Sequence, residues 1–373
     1  MFLLDNLSKR LEIDNFLQYD TKVRVYRKLN NAWGDISMSE NDWSSENSVK
    51  KQNSVEKHHH HRHHHHHRHH HMRRGWKIFW SILGVLVIIA LIFAGVAYHN
   101  LDVTTDNMYS TSGANTKRNA QQVLAQKKPV SILLMGTDTG EFGRTEKGRT
   151  DTLMIMTLNP QTKTTTVVSL PRDMKVNLPG YPEYSPSKIN AAYTYGGVKE
   201  AINTVQKEFN IPIDFYLLVN MNGLEKAINK VGGVDVVSPL TFTYEGHSFE
   251  KGKKYHLNGK EALAFSRMRH EDPNGDYGRQ QRQRLIIAAL LKKSVSYKTV
   301  LNKSFLNSIA DSSQTDLTMH NMLQLAQHYS DARDHIVQGH AEGDNDNEGG
   351  VSFQTVNHDE RQRITNLVEK SLE

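Results

Sequence analysis

The chain has 373 residues, of which 37 % are hydrophobic and 23 % charged, a balance that fits one or two folded domains with additional segments. It contains no cysteine, which excludes a disulfide framework, a thiolate metal site and a cysteine nucleophile. The formal net charge of +6 favours an anionic partner, such as a phosphate group, a nucleic acid or a membrane face.

The N-terminal segment, residues 1–75, is polar and carries charges of both signs. It shows little sustained apolar periodicity, so we predict that it is largely disordered. Residues 58–71 read HHHHRHHHHHRHHH, and neutral imidazoles in such a tract can bind zinc, nickel or copper. The simpler interpretation is a solvated tract whose positive charge rises at low pH near anionic lipid headgroups.

A long apolar run follows at residues 78–97, IFWSILGVLVIIALIFAGVA, in which serine is the only polar side chain. A helix of this length spans roughly 30 Å, the thickness of the hydrocarbon core of a bilayer. Trp76, Trp80 and Tyr98 lie at or near its ends, where aromatic rings prefer the interface. We therefore predict one transmembrane helix at residues 76–98. It is a signal anchor, because the run is too long and lies too deep in the chain for a cleavable signal peptide.

The charges on either side of this run predict its orientation. Lysine and arginine are frequent before it, whereas the first one after it is Lys117. The positive-inside rule then makes residues 1–75 cytoplasmic and residues 99–373 extracellular, in a single-pass protein of the cell membrane. Residues 99–128 are polar, and we predict that they form a stalk leading away from the membrane.

Residues 129–296 have the densest pattern and are predicted to form the globular core. The predicted strands cover residues 130–135, 152–158, 164–170, 215–219 and 234–237. The predicted helices cover residues 188–209 (with a break at Gly196 and Gly197), 224–230, 259–265 and 277–294. Strands interleaved with helices indicate an α/β class of fold with a central sheet.

The last segment, residues 297–373, has weaker helical patterns and is predicted to be a C-terminal helical extension of the extracellular domain. It contains a loop rich in Gly, Asp and Asn at residues 339–350 and a last helix near residues 359–372.

Two aspartates lie at the ends of consecutive predicted strands. Asp138 directly follows the first strand in the segment GTDT, and Asp151 directly precedes the next in GRTD. If these strands are antiparallel neighbours, both carboxylates lie at the same edge of the sheet. Two hard oxygen ligands there suit Mg²⁺, which takes one or two carboxylates together with phosphate oxygens and waters. Taken alone, however, a pair of loop aspartates is more often part of turn chemistry.

Arginines accompany these carboxylates. Arg172 follows the third strand in SLPRD, where Pro171 ends the strand, so Arg172 lies near the same edge. By itself it is equally consistent with a surface ion pair.

The segment at residues 265–284, FSRMRHEDPNGDYGRQQRQR, contains five arginines. Arg267 and Arg269 point the same way if their segment is extended, and Arg279 and Gln283 share one face of a helix. A charge run is usually a solvated face, but this one directly precedes the apolar stretch 285–291, which would anchor the helix in the core. The planar guanidinium group has donors spaced to bind phosphate oxygens. Several arginines beside two aspartates that can bind a metal therefore indicate a binding site for a diphosphate group.

Taken together, these residues make the core resemble the LytR-CpsA-Psr (LCP) family of Gram-positive cell-envelope proteins. Seven segments carry the resemblance in order: LLMGTD, GRTDTLMI, SLPRD, KINAAYTYGG, VGGVDVV, LNGKEALAFSRMRH and DYGRQQRQR. They extend over residues 130–294, under half of the chain. The topology is also similar, with a short cytoplasmic tail, one span and an external domain.

The resemblance implies an α/β/α sandwich with a central mixed sheet and a hydrophobic groove or tunnel for a polyprenyl chain. It also implies a Mg²⁺-dependent phosphotransferase. Such an enzyme moves an anionic glycopolymer, wall teichoic acid or capsular polysaccharide, from undecaprenyl diphosphate to the 6-hydroxyl of N-acetylmuramic acid in peptidoglycan. The implied partners are the lipid-linked polymer, peptidoglycan and the membrane, without nucleic acid.

The resemblance assigns roles to individual residues. Asp138 and Asp151 match the magnesium ligands. The residues that match the diphosphate-contacting arginines are Arg149, Arg172, Arg267, Arg269 and Arg279. Asp276 and Gln283 match further polar positions of the same site, the first as a catalytic residue and the second in substrate binding.

One position departs from the family pattern. Many members carry an arginine soon after the first aspartate, whereas this chain has Thr139, and Arg144 could substitute for it. The residue that orients or deprotonates the attacking hydroxyl is Asp276 or Asp151, and the sequence does not distinguish them.

Three other functions fit part of the pattern. A polyprenyl diphosphatase would use the same site with water as the acceptor. A non-catalytic protein that binds lipid-linked polymer would use the arginines but has no need for a metal pair. A transcriptional regulator would use the basic charge on DNA, but the arginines lie on the predicted external side, and residues 1–75 show no helix-turn-helix.

Overall fold

The computed structural model describes residues 87–88, 107–137, 148–294 and 302–373. The predicted disordered segment at 1–75, with its histidine tract, lies outside the described residues, as do Asp138, Thr139 and Arg144. Only Val87 and Ile88 of the predicted span are described, and both are helical and exposed. Among the described residues, no helix combines the length and the apolar character needed to cross a membrane.

A mixed sheet of six strands forms the centre of the described chain. The strands in chain order are β1 (Val130–Thr137), β2 (Thr150–Asn159), β3 (Thr164–Ser169), β4 (Lys175–Val176), β5 (Ser187–Lys188), β6 (Phe215–Asn220), β7 (Val234–Val237), β8 (Phe242–Tyr244), β9 (His247–Phe249), β10 (Lys254–Leu257), β11 (Ser313–Thr315), β12 (His335–His340), β13 (Asp344–Glu348) and β14 (Val351–Thr355). The sheet has the order β11-β6-β1-β2-β3-β12. The pairs β1–β6 and β3–β12 are parallel, and the other three pairs are antiparallel.

Helices cover both faces of this sheet. The α-helices that the described residues form are α1 (Ala120–Ala125), α2 (Ala191–Phe209), α3 (Met221–Lys230), α4 (Gly259–Arg267), α5 (Gly275–Ser294), α6 (Lys303–Ala310), α7 (Met319–His328) and α8 (His358–Ser371). Side chains of α2 and α8 pack on one face with Leu133 and Ile155, and side chains of α1, α5 and α7 pack on the other with Ile132 and Met154. Because both faces are buried, the inner strands read as continuous apolar runs. The predicted α/β/α sandwich with a mixed sheet is confirmed.

The long helix α2 contains the interruption that its two adjacent glycines predict. Gly197 has φ 66° and ψ −155°, a conformation outside the helical region that glycine adopts without a steric penalty. The helix therefore kinks there and continues to Phe209.

A smaller apolar cluster lies beside the sandwich and holds α4 against α5. The hairpins β7–β10 and β8–β9 belong to it, and its centre consists of Phe242, Phe249 and Phe265, whose rings contact one another. This cluster fixes the turn between the two helices, which carries Arg269 and has Arg267 and Asp276 in the adjoining helix ends.

The predicted stalk is wrong for its described part, residues 107–128. Met108 is buried, Tyr109 forms a β-bridge with Thr315, and Arg118 Nη2 pairs at 2.5 Å with the buried carboxylate of Asp214. The segment is polar on average, but Met108, Tyr109 and Arg118 attach it to the sandwich.

The description of residues 297–373 as a helical extension is also wrong, because this segment completes the sheet. Its described residues, 302–373, contribute both edge strands, β11 and β12, in addition to the helices α6, α7 and α8. The predicted loop at 339–350 instead contains most of the β13–β14 hairpin, whose turn residues Gly349 and Gly350 both have positive φ. The edge strand β11 (SQT) and the hairpin strand β13 (DNDNE) are short and polar, so they lack the apolar pattern that identified the inner strands.

Candidate active site

The ends of β1 and β2 form one edge of the candidate site. The two strands are antiparallel, with Thr137 opposite Thr150, so the predicted arrangement of neighbouring strands is confirmed. The strands approach closely at Gly136, where a Cβ atom would lie 2.9 Å from Cβ of Thr152. Asp151 is the second residue of β2.

Arg172 binds Asp151 at this edge. Its Nη1 donates to Oδ1 of Asp151 at 2.7 Å, and its Nε lies 3.7 Å from Asp173 and 3.9 Å from Asp276. Burial alone would lower the pKa of Arg172, but the hydrogen bond and the charges of these carboxylates outweigh it and raise the pKa. Arg172 therefore remains a cation at the centre of three carboxylates.

The first turns of α5 contribute the opposite side of the cluster. Arg279 Nη2 lies 2.7 Å from Oδ1 of Asp276, and Gln280 donates to Oδ2 of Asp276 at 2.9 Å. Arg279 Nη2 also donates to the backbone carbonyl of Asp151 at 3.4 Å. The start of α5 is thereby joined to the start of β2, and the predicted residues Asp151, Arg172, Asp276 and Arg279 form one cluster.

Positive charge is concentrated in this cluster. Burial lowers the pKa of Arg279, and the nearby charges of Arg172 and Arg269 act in the same direction, opposed by Asp276 and Asp151. Nε of Arg172, Nε of Arg279 and Oε1 of Gln283 are buried and form no hydrogen bond. Donors of two arginines and an acceptor thus remain available to a ligand.

The other predicted arginines lie around this cluster. Arg269 is exposed and close enough to affect the pKa of Arg279. Arg149 is exposed directly before β2, and Nη1 of Arg267 lies 3.8 Å from Oε1 of Glu245. Arg267 is the last residue of α4, so the extended segment assumed for Arg267 and Arg269 is wrong; the backbone leaves the helical conformation only at Met268, which has φ −53° and ψ 133°.

Arg282 has a structural role that the sequence did not distinguish. It is fully buried, its Nε donates to the carbonyl of Phe265 at 2.9 Å, and its remaining nitrogens bind the Met268 carbonyl and Asp272. Its guanidinium also lies 5.1 Å from the centroid of the Phe242 ring. A Cβ atom at Gly278 would overlap Asp272, so a glycine is required beside this buried pair.

An apolar cavity of about 340 Å³ extends from the cluster between the sheet and the helices. Leu134 and Met154 of the sheet and Ile287 and Leu291 of α5 line its interior. Gln283 lines this cavity and also the cleft that contains Asp151, Arg172 and Asp276. The cavity agrees with the predicted hydrophobic groove, and its polar end lies at the arginine cluster.

The carboxylates fit a magnesium ion to a limited extent. Oδ1 of Asp151 is bound by Arg172, and no side chain of the described residues contacts Oδ2. The described part of the chain contains no group of three or more His, Asp or Glu residues that could hold a metal. A single carboxylate with a free oxygen matches Mg²⁺ in phosphate sites, where substrate oxygens and waters complete the coordination.

Comparison with known proteins gives concordant results. The family model described as LytR_cpsA_psr matches residues 95–370. The polyisoprenyl-teichoic acid–peptidoglycan teichoic acid transferase TagU of Enterococcus faecalis is 40 % identical over 305 residues, which cover 81 % of this chain and 99 % of that protein.

Solved structures have the same fold. The crystal structure of protein gbs0355 from Streptococcus agalactiae superposes with a TM-score of 0.61 at 33 % identity, covering 69 % of this chain and 91 % of the other. That of TagU from B. subtilis superposes with a TM-score of 0.53 at 34 % identity, covering 66 % and 97 %.

Proposed function

Because the chain belongs to the LytR-CpsA-Psr family, we propose that it transfers teichoic acid from a polyprenyl diphosphate to peptidoglycan. The acceptor is the 6-hydroxyl of N-acetylmuramic acid. The name of the E. faecalis relative supports the reaction, since this chain covers 99 % of that protein. One observation in the structure carries the proposal: the arginine cluster and the apolar cavity meet at Gln283.

This junction matches the chemistry of a lipid diphosphate. The diphosphate binds beside Arg172 and Arg279, each of which keeps a buried Nε without a hydrogen bond. The hydrocarbon chain enters the cavity lined by Leu134, Met154 and Ile287, where burial of apolar surface contributes roughly 25 cal/mol per Å². A protein that bound only a soluble sugar phosphate would have no use for the cavity.

The reaction is a displacement at phosphorus. The hydroxyl oxygen of the acceptor sugar forms a bond to the phosphorus that carries the polymer, the bond from that phosphorus to the bridging oxygen breaks, and polyprenyl phosphate leaves with the electron pair. The hydroxyl proton passes to Asp151 or Asp276. Phosphoryl transfer depends chiefly on positioning and charge neutralisation. Arg172, Arg279 and Arg269 supply positive charge preorganised by burial and by their carboxylate partners.

We extend the proposal to the magnesium ion. Asp151 would hold it through its free oxygen, together with Asp138, which lies outside the described residues. When bound, the ion neutralises charge on the diphosphate oxygens.

The proposal includes the location of the protein. The apolar run at 78–97 anchors the chain in the cell membrane, with the N-terminus in the cytoplasm and the catalytic domain outside. A lipid diphosphate cannot leave the bilayer, so an anchored enzyme encounters its donor at a high local concentration.

The test uses the full chain in lipid nanodiscs with a polyprenyl-diphosphate-linked teichoic acid, peptidoglycan oligomers and Mg²⁺. Mass spectrometry should find a phosphodiester adduct on muramic acid that is lost with Asp151→Ala and retained with Lys163→Met, which alters an exposed lysine in the turn between β2 and β3. Release of polyprenyl phosphate without an adduct would identify a diphosphatase. Binding of the donor without turnover would identify a polymer-binding protein.

A further inference from the structure

A second polar cavity of about 610 Å³ lies beside the catalytic cluster, on an adjacent side of α5. Two parallel rows of α5 residues line the two sites: Asp276, Gln280 and Gln283 line the catalytic cleft, and Tyr277, Gln281 and Arg284 line the cavity. Each residue of the second row follows a residue of the first row directly in the sequence, so the two rows are rotated by about 100° around the helix axis. A ligand of a few sugar units could therefore reach from one to the other.

The opposite wall of this cavity begins at the same edge of the sheet as the catalytic cluster. β12 runs parallel to β3, and His340 lies opposite Ser169 in the register. Arg172 follows β3, whereas the cavity residues His340, Glu342 and Gly343 occupy the end of β12 and the loop after it. The two sites thus lie at the ends of neighbouring parallel strands.

Arg284 is the charged group of this cavity whose hydrogen bonds are unmet. Arg284 is only 6 % exposed, and its Nε and Nη1 atoms are buried without a hydrogen-bond partner. Burial lowers the pKa of Arg284 to about 10. A buried guanidinium without a partner is costly, and native proteins keep such a group where a ligand completes it.

The other charges lining the cavity are paired or solvated. Nε2 of His340 lies 3.2 Å from Oε1 of Glu342, and Glu360 accepts from Arg363 at 2.6 Å and from the backbone of Glu342 at 2.8 Å. Asp344 is exposed at the rim. Glu342 and Asp344 are exposed to solvent, so the buried charge of the cavity that has no counter-ion among the described residues is the positive charge of Arg284.

The uncharged lining suits a carbohydrate. Tyr277 presents an aromatic ring beside His340, with 5.4 Å between the ring centroids, and Asn274 and Gln281 add amide groups. Hydroxyl and acetamido groups of sugars bind amides and carboxylates, and a volume of 610 Å³ is in the usual range of ligand sites.

We propose that this cavity, the Arg284 subsite, binds an anionic sugar unit of one of the two glycan substrates, with Arg284 receiving its carboxylate or phosphate. The inference rests on the proposed transferase function, because that function supplies two such glycans. Peptidoglycan offers carboxylates on its stem peptides and on muramic acid units whose lactyl group bears no peptide, and teichoic acid offers phosphodiesters, so both sources supply an anionic group.

The test measures binding to the full chain in detergent micelles by calorimetry, without lipid donor and without turnover. One probe is a peptidoglycan tetrasaccharide that retains the free lactyl carboxylate, and the other is a lipid-free teichoic acid oligomer. Arg284→Met should weaken binding of one probe about tenfold or more, because a charge-assisted hydrogen bond is lost. The affected probe identifies the source. Gln281→Ala, at an exposed position, should weaken the same probe about threefold.

Lys163→Met, which removes an exposed cation in the turn between β2 and β3, is the control and should bind both probes like the wild type. The melting temperature of Arg284→Met should equal or exceed that of the wild type, since no hydrogen bond to its Nε or Nη1 is lost. The inference is overturned if the wild type binds neither probe or if both variants bind like the wild type. A failed transfer assay with intact probe binding would refute the transferase and leave the subsite in place.

Discussion

The buried arginines of α5 are held in two different ways. Arg282 is fully buried, and carbonyls, a carboxylate and an aromatic ring satisfy it. Arg279 and Arg284 are also buried but keep nitrogens without a hydrogen bond. The difference separates a residue that holds the fold together from residues that are prepared for an anion.

The largest effect on stability is expected at Arg282. Arg282→Met leaves the buried carboxylate of Asp272 without its partner, which should lower the free energy of unfolding by about 3–5 kcal/mol. Urea unfolding of the full chain, followed by circular dichroism, measures the loss. Adding Asp272→Asn should recover part of it. A loss below about 1 kcal/mol would remove the distinction between Arg282 and the other two buried arginines of α5.

Arg279 should show the converse behaviour. Arg279→Gln removes preorganised charge from the site, so we expect the transfer rate to fall by about 10²–10³. The free energy of unfolding should fall by less than at Arg282, by about 1–2 kcal/mol, because only the Nη2 contacts with Asp276 and the Asp151 carbonyl are lost and Asp276 keeps its bond from Gln280. Initial rates of adduct formation and unfolding curves on the same preparation decide this. Equal losses in both would make Arg279 a structural residue like Arg282.

Asp316 is a further case for this comparison. It is a largely buried carboxylate whose hydrogen-bond donors are all neutral. Burial raises its pKa from 3.8 to about 6, although it accepts hydrogen bonds from the backbone of Tyr216 and from Ser112. The folded protein therefore binds a proton that the unfolded chain releases, and stability falls as the pH rises from about 4 to about 6.

Asp316→Asn keeps an acceptor for the Tyr216 amide and abolishes this penalty. The variant should be more stable than the wild type by about 2 kcal/mol at pH 7.5, and the advantage should disappear below pH 4. Unfolding curves at three pH values measure it. An advantage that did not depend on pH would show that another effect dominates.

The smallest effect concerns the apolar end of the catalytic site. Leu134→Trp places a larger ring in the cavity and should raise the KM for a long-chain donor about tenfold, as expected when roughly two buried methylene groups of the lipid lose their place. A donor with a two-isoprene chain serves as the control and should be nearly unaffected. If both donors were affected equally, the cavity would not hold the chain.

The sequence predicted the inner sheet and the catalytic cluster for physical reasons. The inner strands are buried on both faces, so each of them appears in the sequence as a continuous apolar run. A charged residue at the end of such a strand lies at the edge of the sheet. Asp151 and Arg172 could therefore be placed together before their contact at 2.7 Å was known.

What the sequence did not predict depends on tertiary contacts. The edge strands β11 and β12 are held by their pairing with β6 and β3 and have no apolar period of their own. Arg279, Arg282 and Arg284 look alike in the sequence, and only their surroundings distinguish a structural arginine from a binding one. The Arg284 subsite combines α5 with the loop after β12, and no local pattern joins segments so far apart in the chain.

The order in which the sheet is completed has a consequence for biosynthesis. Its four inner strands come from residues 130–220, whereas the strands that cover its two edges come from residues 313–340. While the chain is being made, β6 and β3 present unpaired backbone groups until roughly another hundred residues have emerged, a delay of about 5–20 s at the usual rate of synthesis. During that interval the nascent chain has two open edges on which another strand could add, so a chain stopped before residue 313 should aggregate.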